Sequence, residues 1–177
     1  TYSFIVSYDC GGAWTTPSTI TLPTSAAEVP YTCDFEDEEE NASWTLINGT
    51  PATKWFIGAE TASPENNKLY VSSDNGATLS YEVSGTKTVY AVRNIAFGEA
   101  PLYRITFDYK GGGESCCDFV KVGLWGLDQT FVPSTTLPSW VAATAVQAGF
   151  TYTGGVAKFN KTEGEVLQGE IYVDGAE

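Results

Sequence analysis

The sequence predicts an all-β fold, and three observations predict it. Apolar and polar residues alternate over short runs, as one-sided strands require. Those runs are separated by Gly, Asn and Ser turn chemistry at intervals of roughly 8–12 residues. Helical periodicity is nearly absent, since only Trp140–Ala148, ending at Gly149, suits a short helix. Together these point to a β-sandwich or barrel.

Taken in order, Tyr2, Phe4, Val6 and Tyr8 alternate, and a Cys10-Gly11-Gly12 turn leads to a second extended run, Thr19–Leu22. Pro23 and Pro30 bracket a linker at 25–30. Tyr31, Cys33 and Phe35 then alternate with Thr32, Asp34 and Glu36, which predicts the opening strand of the main domain. Trp44–Ile47 and Lys54–Ile57 follow as strands. Leu69 and Val71 lead into Ser73-Asp74-Asn75-Gly76, a hairpin signal because Asn-Gly accepts positive φ, with Leu79, Tyr81 and Val83 returning. Val89–Arg93 is another strand, and Tyr103, Ile105, Phe107 and Tyr109 give the cleanest inward face. Gly111–Glu114 turns that strand, and Phe119–Trp125 runs back with Val120, Val122 and Leu124 on one face.

The length of 177 residues suits one domain, or one domain plus a fragment of another, and 42% hydrophobic residues suffice for a core. With 22 acidic against 9 basic residues the net charge is −13, which repels phosphate backbones and argues against nucleic acid as a partner. No apolar run approaches the roughly eighteen residues of a membrane span. The absence of Met and of an apolar leader suggests a piece of a longer precursor. The absence of His excludes Ser-His-Asp and Cys-His catalysis and His-ligated zinc.

Cys10, Cys33, Cys116 and Cys117 match no zinc spacing. Adjacent cysteines rarely bond each other, so any disulfides would join Cys116 or Cys117 to Cys10 or Cys33; buried thiols are the alternative. Sequons at Asn41, Asn48 and Asn160 would carry glycans only in a eukaryotic secretory setting.

The densest chemistry lies between Tyr31 and Trp44, where Asp34, Glu36, Asp37, Glu38, Glu39 and Glu40 crowd together. A strand edge becoming a carboxylate cluster suits calcium, which takes six to eight oxygens. Asp34 and Glu36 are the candidates; Asp37–Asn41 reads as a solvated loop without a role. Asp74 reads as turn chemistry. Among the tryptophans, Trp44 and Trp55 read as core. Trp125 is out of phase with its strand's apolar face, which makes it the first candidate for an exposed sugar-stacking platform. Trp140, after Pro138, is the second. A glycosidase needs two carboxylates at a set separation; no strand carries the E-x-D-x-(x)-E pattern of concanavalin-like glucanases, and Glu163, Glu165 and Glu170 show no such arrangement.

Two resemblances extend this reading. Residues 1–24 resemble the C-terminal hairpin of a fibronectin type III module. Asp34-Phe35-Glu36, Trp44, Trp55-x-Ile57-Gly58, Leu69–Gly76, Ile105-x-Phe107-Asp108-Tyr109-Lys110, Gly113-Glu114 and Asp118–Val122, in that order, resemble the cleaved-adhesin and choice-of-anchor jelly-roll modules of secreted Bacteroidetes surface proteins, relatives of MAM domains. The resemblance covers about residues 30–130, and the late tryptophan-bearing strands of the family are not found by Glu177. It implies a concanavalin A-like jelly-roll β-sandwich at 31–177, truncated or divergent at its end. It further implies a noncatalytic extracellular or cell-surface module that holds structural calcium and binds a glycan or a host or matrix protein beside neighbouring modules of its polypeptide. Asp34 and Glu36 match the family's acidic opening, and Asp118 stands in for its late-strand acid, with turn capping as the alternative. A plain spacer is the rival function, and an enzyme resembling a glycoside hydrolase is the weaker one.

Overall fold

A computed structural model describes residues 3–6, 18–21, 26–62, 64, 66–82, 84–100, 102–111, 120–123, 130–133, 150–152, 156–159 and 162–174. Regular structure among them is β-strand except for one short helix, so the fold is all-β as alternation predicts. The chain forms two units, Thr1–Gly85 with Val89–Ala96 and Thr86–Thr88 with Phe97–Glu177.

In the first unit, β1 (Ser3–Val6) and β2 (Ser18–Thr21) pair antiparallel, Ser3 opposite Thr21. Strand β3 (Ala27–Glu28) falls in the stretch read as a linker, and helix α1 (Glu38–Ala42) comes next. Strands β4 (Thr45–Ile47), β5 (Lys54–Gly58), β6 (Lys68–Ser72), β7 (Tyr90–Val92) and β8 (Ile95–Ala96) complete the unit. β3 lies parallel to β8, while β4 pairs antiparallel with β7 and β5 with β6.

Two expectations fail here. Tyr31–Glu36 keeps its alternating exposure but is not a paired strand. Phe35 sits at φ 65, a left-handed conformation that breaks an extended run and is uncommon outside glycine. The stretch after β6 also departs from prediction. β6 takes β5 as its partner, Trp55 opposite Val71, and no strand forms over residues 79–82. Polar side chains near the turn satisfy the backbone groups that a hairpin ladder would use. The Asp74 carboxylate accepts from the Thr78 backbone N–H at 2.9 Å and from its hydroxyl at 2.6 Å. The Ser73 N–H donates to Ser80 Oγ at 3.1 Å, and Leu79 is left exposed.

In the second unit, β9 (Leu102–Gly111) shows the predicted alternation along its whole length, with Tyr103, Ile105, Phe107 and Tyr109 on the sheltered face. Strands β10 (Val120–Gly123), β11 (Phe150–Tyr152), β12 (Val156–Phe159) and β13 (Thr162–Asp174) follow. β9 does not pair with β10 as the Gly-rich turn suggests. It pairs antiparallel with β13, Ile105 opposite Ile171, and β11 lies parallel on the far side of β13. β10 pairs with β12 instead. Val122, like Ile105, Phe107 and Tyr109, is one of the partly buried hydrophobics packed around the core, whereas Val120, expected on the same buried face, is 42% exposed. Tyr103 meets Phe97 edge-on at 4.7 Å, and its hydroxyl accepts from the Ala100 N–H at 3.1 Å.

Candidate functional site

The acidic opening is built by local chemistry, acid by acid. Asp34 Oδ1 accepts from the Glu36 N–H at 3.0 Å, closing a small turn around Phe35. Asp37 caps α1, its carboxylate accepting from the N–H groups of Glu39 and Glu40 at 2.8 and 3.1 Å. Without this cap, donors of the first helical turn lack partners. Glu38, Glu39 and Glu40 occupy that first turn, where negative charge suits the helix dipole. The stretch read as a solvated loop is therefore a capped helical turn. At its end Asn41 Nδ2 donates to the Phe35 carbonyl at 2.8 Å, and Trp44 packs against the Phe35 ring at 5.6 Å. These two contacts hold Phe35 in its unusual conformation. Asn41 Oδ1 and Trp44 Nε1 are buried there without a hydrogen-bond partner.

Glu40 is the centre of the arrangement. Arg93, from the β7–β8 connection, reaches it with two parallel hydrogen bonds, Nε to Oε1 at 2.7 Å and Nη2 to Oε2 at 2.9 Å. This is the bidentate geometry in which guanidinium and carboxylate bind most strongly. The Arg93 side chain is only 6% exposed and that of Glu40 is 23% exposed. The Tyr31 hydroxyl donates to the same Oε1, and the Arg93 guanidinium lies 5.5 Å from the Tyr31 ring centre. The hydrogen bonds from Arg93 hold the Glu40 carboxyl below its usual range. Burial, followed by the hydrogen bond to Glu40, pushes the Tyr31 phenol well above its ordinary value. Around neutral pH Glu40 stays anionic and Tyr31 protonated, so neither is poised to exchange a proton. The cluster joins α1 to a strand end 53 residues away.

An open cleft of about 600 Å³ runs beside this cluster, lined by residues 30–35 with Asp37 and Glu40. Cys33, half-buried on its wall, is a free thiol. The proposed partners Cys10, Cys116 and Cys117 lie outside the described residues.

Glu36, the second calcium candidate, clasps Asn67, accepting from its N–H at 3.0 Å and from Nδ2 at 2.9 Å. Asp34 and Glu36 thus lie in one turn, each already accepting hydrogen bonds. Among the described residues no group of three or more His, Cys, Asp or Glu side chains stands together for a metal ion. Calcium needs six to eight oxygens, so Asp34 and Glu36 do not compose a cage unless other residues join them. Asp118, Trp125 and Trp140 lie outside the described residues. Trp55 is structural, its Nε1 donating to the Val89 carbonyl at 3.2 Å. Asp74 is turn chemistry as read. Its carboxyl is lowered to about 2 by hydrogen bonds from the Ser72 hydroxyl and then from Thr78. Two sequons are also structural, because Asn41 is bonded as above and Asn48 clamps Trp55, accepting from its N–H at 2.6 Å and donating to its carbonyl at 3.0 Å. Glu170 lies on β13, 3.7 Å from Arg104 in a solvent-accessible pair worth little.

Sequence reasoning missed Glu40 and Arg93. The pattern Asp37-x-x-Glu40 is a helix-start signal that marks the turn, but no local pattern identifies Arg93 as the distant counter-charge. No protein-family model, curated protein or solved structure matches this chain.

Proposed function

We propose that this chain is a noncatalytic extracellular module of a modular surface protein, a jelly-roll β-sandwich acting in adhesion or glycan binding. The observation that carries the noncatalytic part is the use made of the acidic opening. Asp34, Glu36, Asp37 and Glu40 accept hydrogen bonds from backbone amides, Asn67, Tyr31 and Arg93, so they brace the fold. A carboxylate held anionic by a bidentate arginine is a poor general acid. The glycan or protein ligand rests on the family resemblance and on Trp125 and Trp140 as stacking residues.

A glycan array probed with the intact chain and with Trp125→Ala tests this reading. Binding that Trp125→Ala abolishes supports the glycan module, whereas no binding by either protein leaves a spacer. Release of reducing sugar from a polysaccharide panel would overturn the noncatalytic assignment. Structural calcium through Asp34, Glu36 and Asp118 is the metal component of the proposal. Calcium at a hundred times its Kd should stabilise the fold by about 2.7 kcal/mol, and identical melts with calcium and with chelator remove the metal.

A further inference from the structure

The loop after β6 carries an Asn75-Gly76 pair whose chemistry goes beyond forming a turn. Where glycine follows asparagine, the glycine backbone nitrogen can lose its proton and attack the asparagine Cγ. The bond from Cγ to the side-chain nitrogen breaks, ammonia leaves, and a five-membered succinimide closes. Water opens that ring at either carbonyl to give aspartate or isoaspartate. One water is consumed, one ammonia is released, and no oxidant or cofactor is needed. Glycine favours the reaction because no Cβ obstructs the attacking nitrogen.

The fold presents the two halves of this reaction differently. Asn75 is exposed, at φ 63, so water reaches its amide. Gly76 is buried, and its N–H donates to Ser72 Oγ at 3.0 Å. Ser72 is itself 0% exposed. Its hydroxyl donates to Asp74 Oδ1 at 2.5 Å, and Asp74 is tied in turn to Thr78. The far side of Gly76 is fixed as well. Its carbonyl accepts from the Tyr70 hydroxyl at 3.1 Å and from the Thr61 N–H at 3.2 Å. A Cβ at Gly76 would stand 3.2 Å from the Tyr70 hydroxyl and 3.3 Å from the Phe56 ring, so little space surrounds this peptide. The nitrogen that must attack is engaged as a donor inside a buried clasp, while the group it must attack faces solvent.

We propose that Asn75 is a latent deamidation site, silenced in the folded chain by the Ser72 clasp on the Gly76 nitrogen and released when the loop opens. Conversion sets a second carboxylate beside Asp74, and isoaspartate lengthens the backbone inside a turn built on two consecutive positive φ angles. Because the ammonia is lost, the amide is not restored, and the change records how often this loop has opened.

The test incubates the intact chain in mildly alkaline buffer, folded and in denaturing urea, and follows aspartate and isoaspartate at position 75 by peptide mapping, with Asn75→Gln as the blank. The folded chain should convert at least about ten times more slowly than the denatured one, the factor that a local opening free energy of ~1.4 kcal/mol sets. Ser72→Ala, shown by circular dichroism to be folded, should narrow that gap several-fold. Equal rates in folded and denatured wild-type chain overturn the proposal, as does a folded Ser72→Ala with an unchanged rate. If Ser72→Ala does not fold, the wild-type rate is followed through urea concentrations below the unfolding transition. A rise there supports loop opening as the gate, and a flat rate overturns it.

Discussion

Removing either partner of the Glu40–Arg93 pair should destabilise the fold, and the two removals should differ in size. Glu40→Gln leaves a guanidinium that is 6% exposed without its counter-charge, whereas Arg93→Met leaves a carboxylate that is 23% exposed and still accepts from Tyr31. Stripping one member from a buried pair costs about 3–5 kcal/mol, and partial exposure of Glu40 brings this pair below that range. We expect about 2–3 kcal/mol for Glu40→Gln and about 1–2 kcal/mol for Arg93→Met. For a chain of this length each kcal/mol shifts Tm by about 2–4 °C, so the first variant should melt about 4–12 °C lower. Urea titrations of both single variants and the double variant give the free energies, and the double should lose less than the sum by at least about 1 kcal/mol. Equal costs, a reversed order or simple additivity would each mean that the guanidinium is not held by this carboxylate in a buried site.

Three shorter predictions come from the same geometry. Asn48→Ala removes both bonds to the Trp55 backbone and should cost about 1–3 kcal/mol by urea titration, with Asn48→Asp recovering the acceptor half only. Gly76→Ala places a Cβ at φ 85 against Tyr70 and Phe56 and should lose about 2 kcal/mol or more; a neutral result would mean that the turn relaxes freely. Asp74 and Glu40 have depressed carboxyls, so their stabilisation is present above the unfolded values of 3.8 and 4.5 and is lost as pH falls through the folded ones, about 2 for Asp74. Tyr31 is raised, so its contribution is full below the ordinary tyrosine value of 10.0 and fades as pH climbs beyond it. Stability against pH should therefore show an acid limb that Asp74→Asn makes shallower, with Glu40 keeping the rest, and an alkaline limb that Tyr31→Phe makes shallower, with Tyr70 and Tyr90, also raised by burial, keeping the rest; urea midpoints measure both.

What the sequence revealed depended on how local the cause was. β9 was legible because ten residues alternate without interruption, and one-sided burial imposes that period directly. Its partner was not, because the pairing with β13 links Leu102 to Asp174 across a long separation, and the nearby Gly-rich turn favours the wrong neighbour. The run from Leu69 to Gly76 has the pattern of half a hairpin. Hydroxyl and carboxylate side chains there compete with the ladder, and alternation alone does not register that competition. At the acidic opening, density of charge suggested solvation and so concealed a capped helical turn. Asp37-x-x-Glu40 held that information locally. Arg93 carried none, since only the fold brings it to Glu40.

The two acids singled out for calcium admit a sharper test than the melt alone. Asp34 and Glu36 already serve as acceptors, so a cation there must compete with the Glu36 N–H and with Asn67. Asn67→Ala separates the two roles. If Glu36 is a brace, the variant loses the side-chain bond to Oε2 and about 1 kcal/mol of stability, with or without calcium. If Glu36 is a ligand that Asn67 holds in check, the variant frees an oxygen for the ion and the calcium-dependent rise in Tm becomes larger than in the wild-type chain. The geometry favours the brace, because both oxygens of Glu36 meet donors of one residue, with the N–H at 3.0 Å and Nδ2 at 2.9 Å. We therefore expect a lower melt that calcium leaves unchanged, and a larger calcium shift in Asn67→Ala would return Glu36 to the metal.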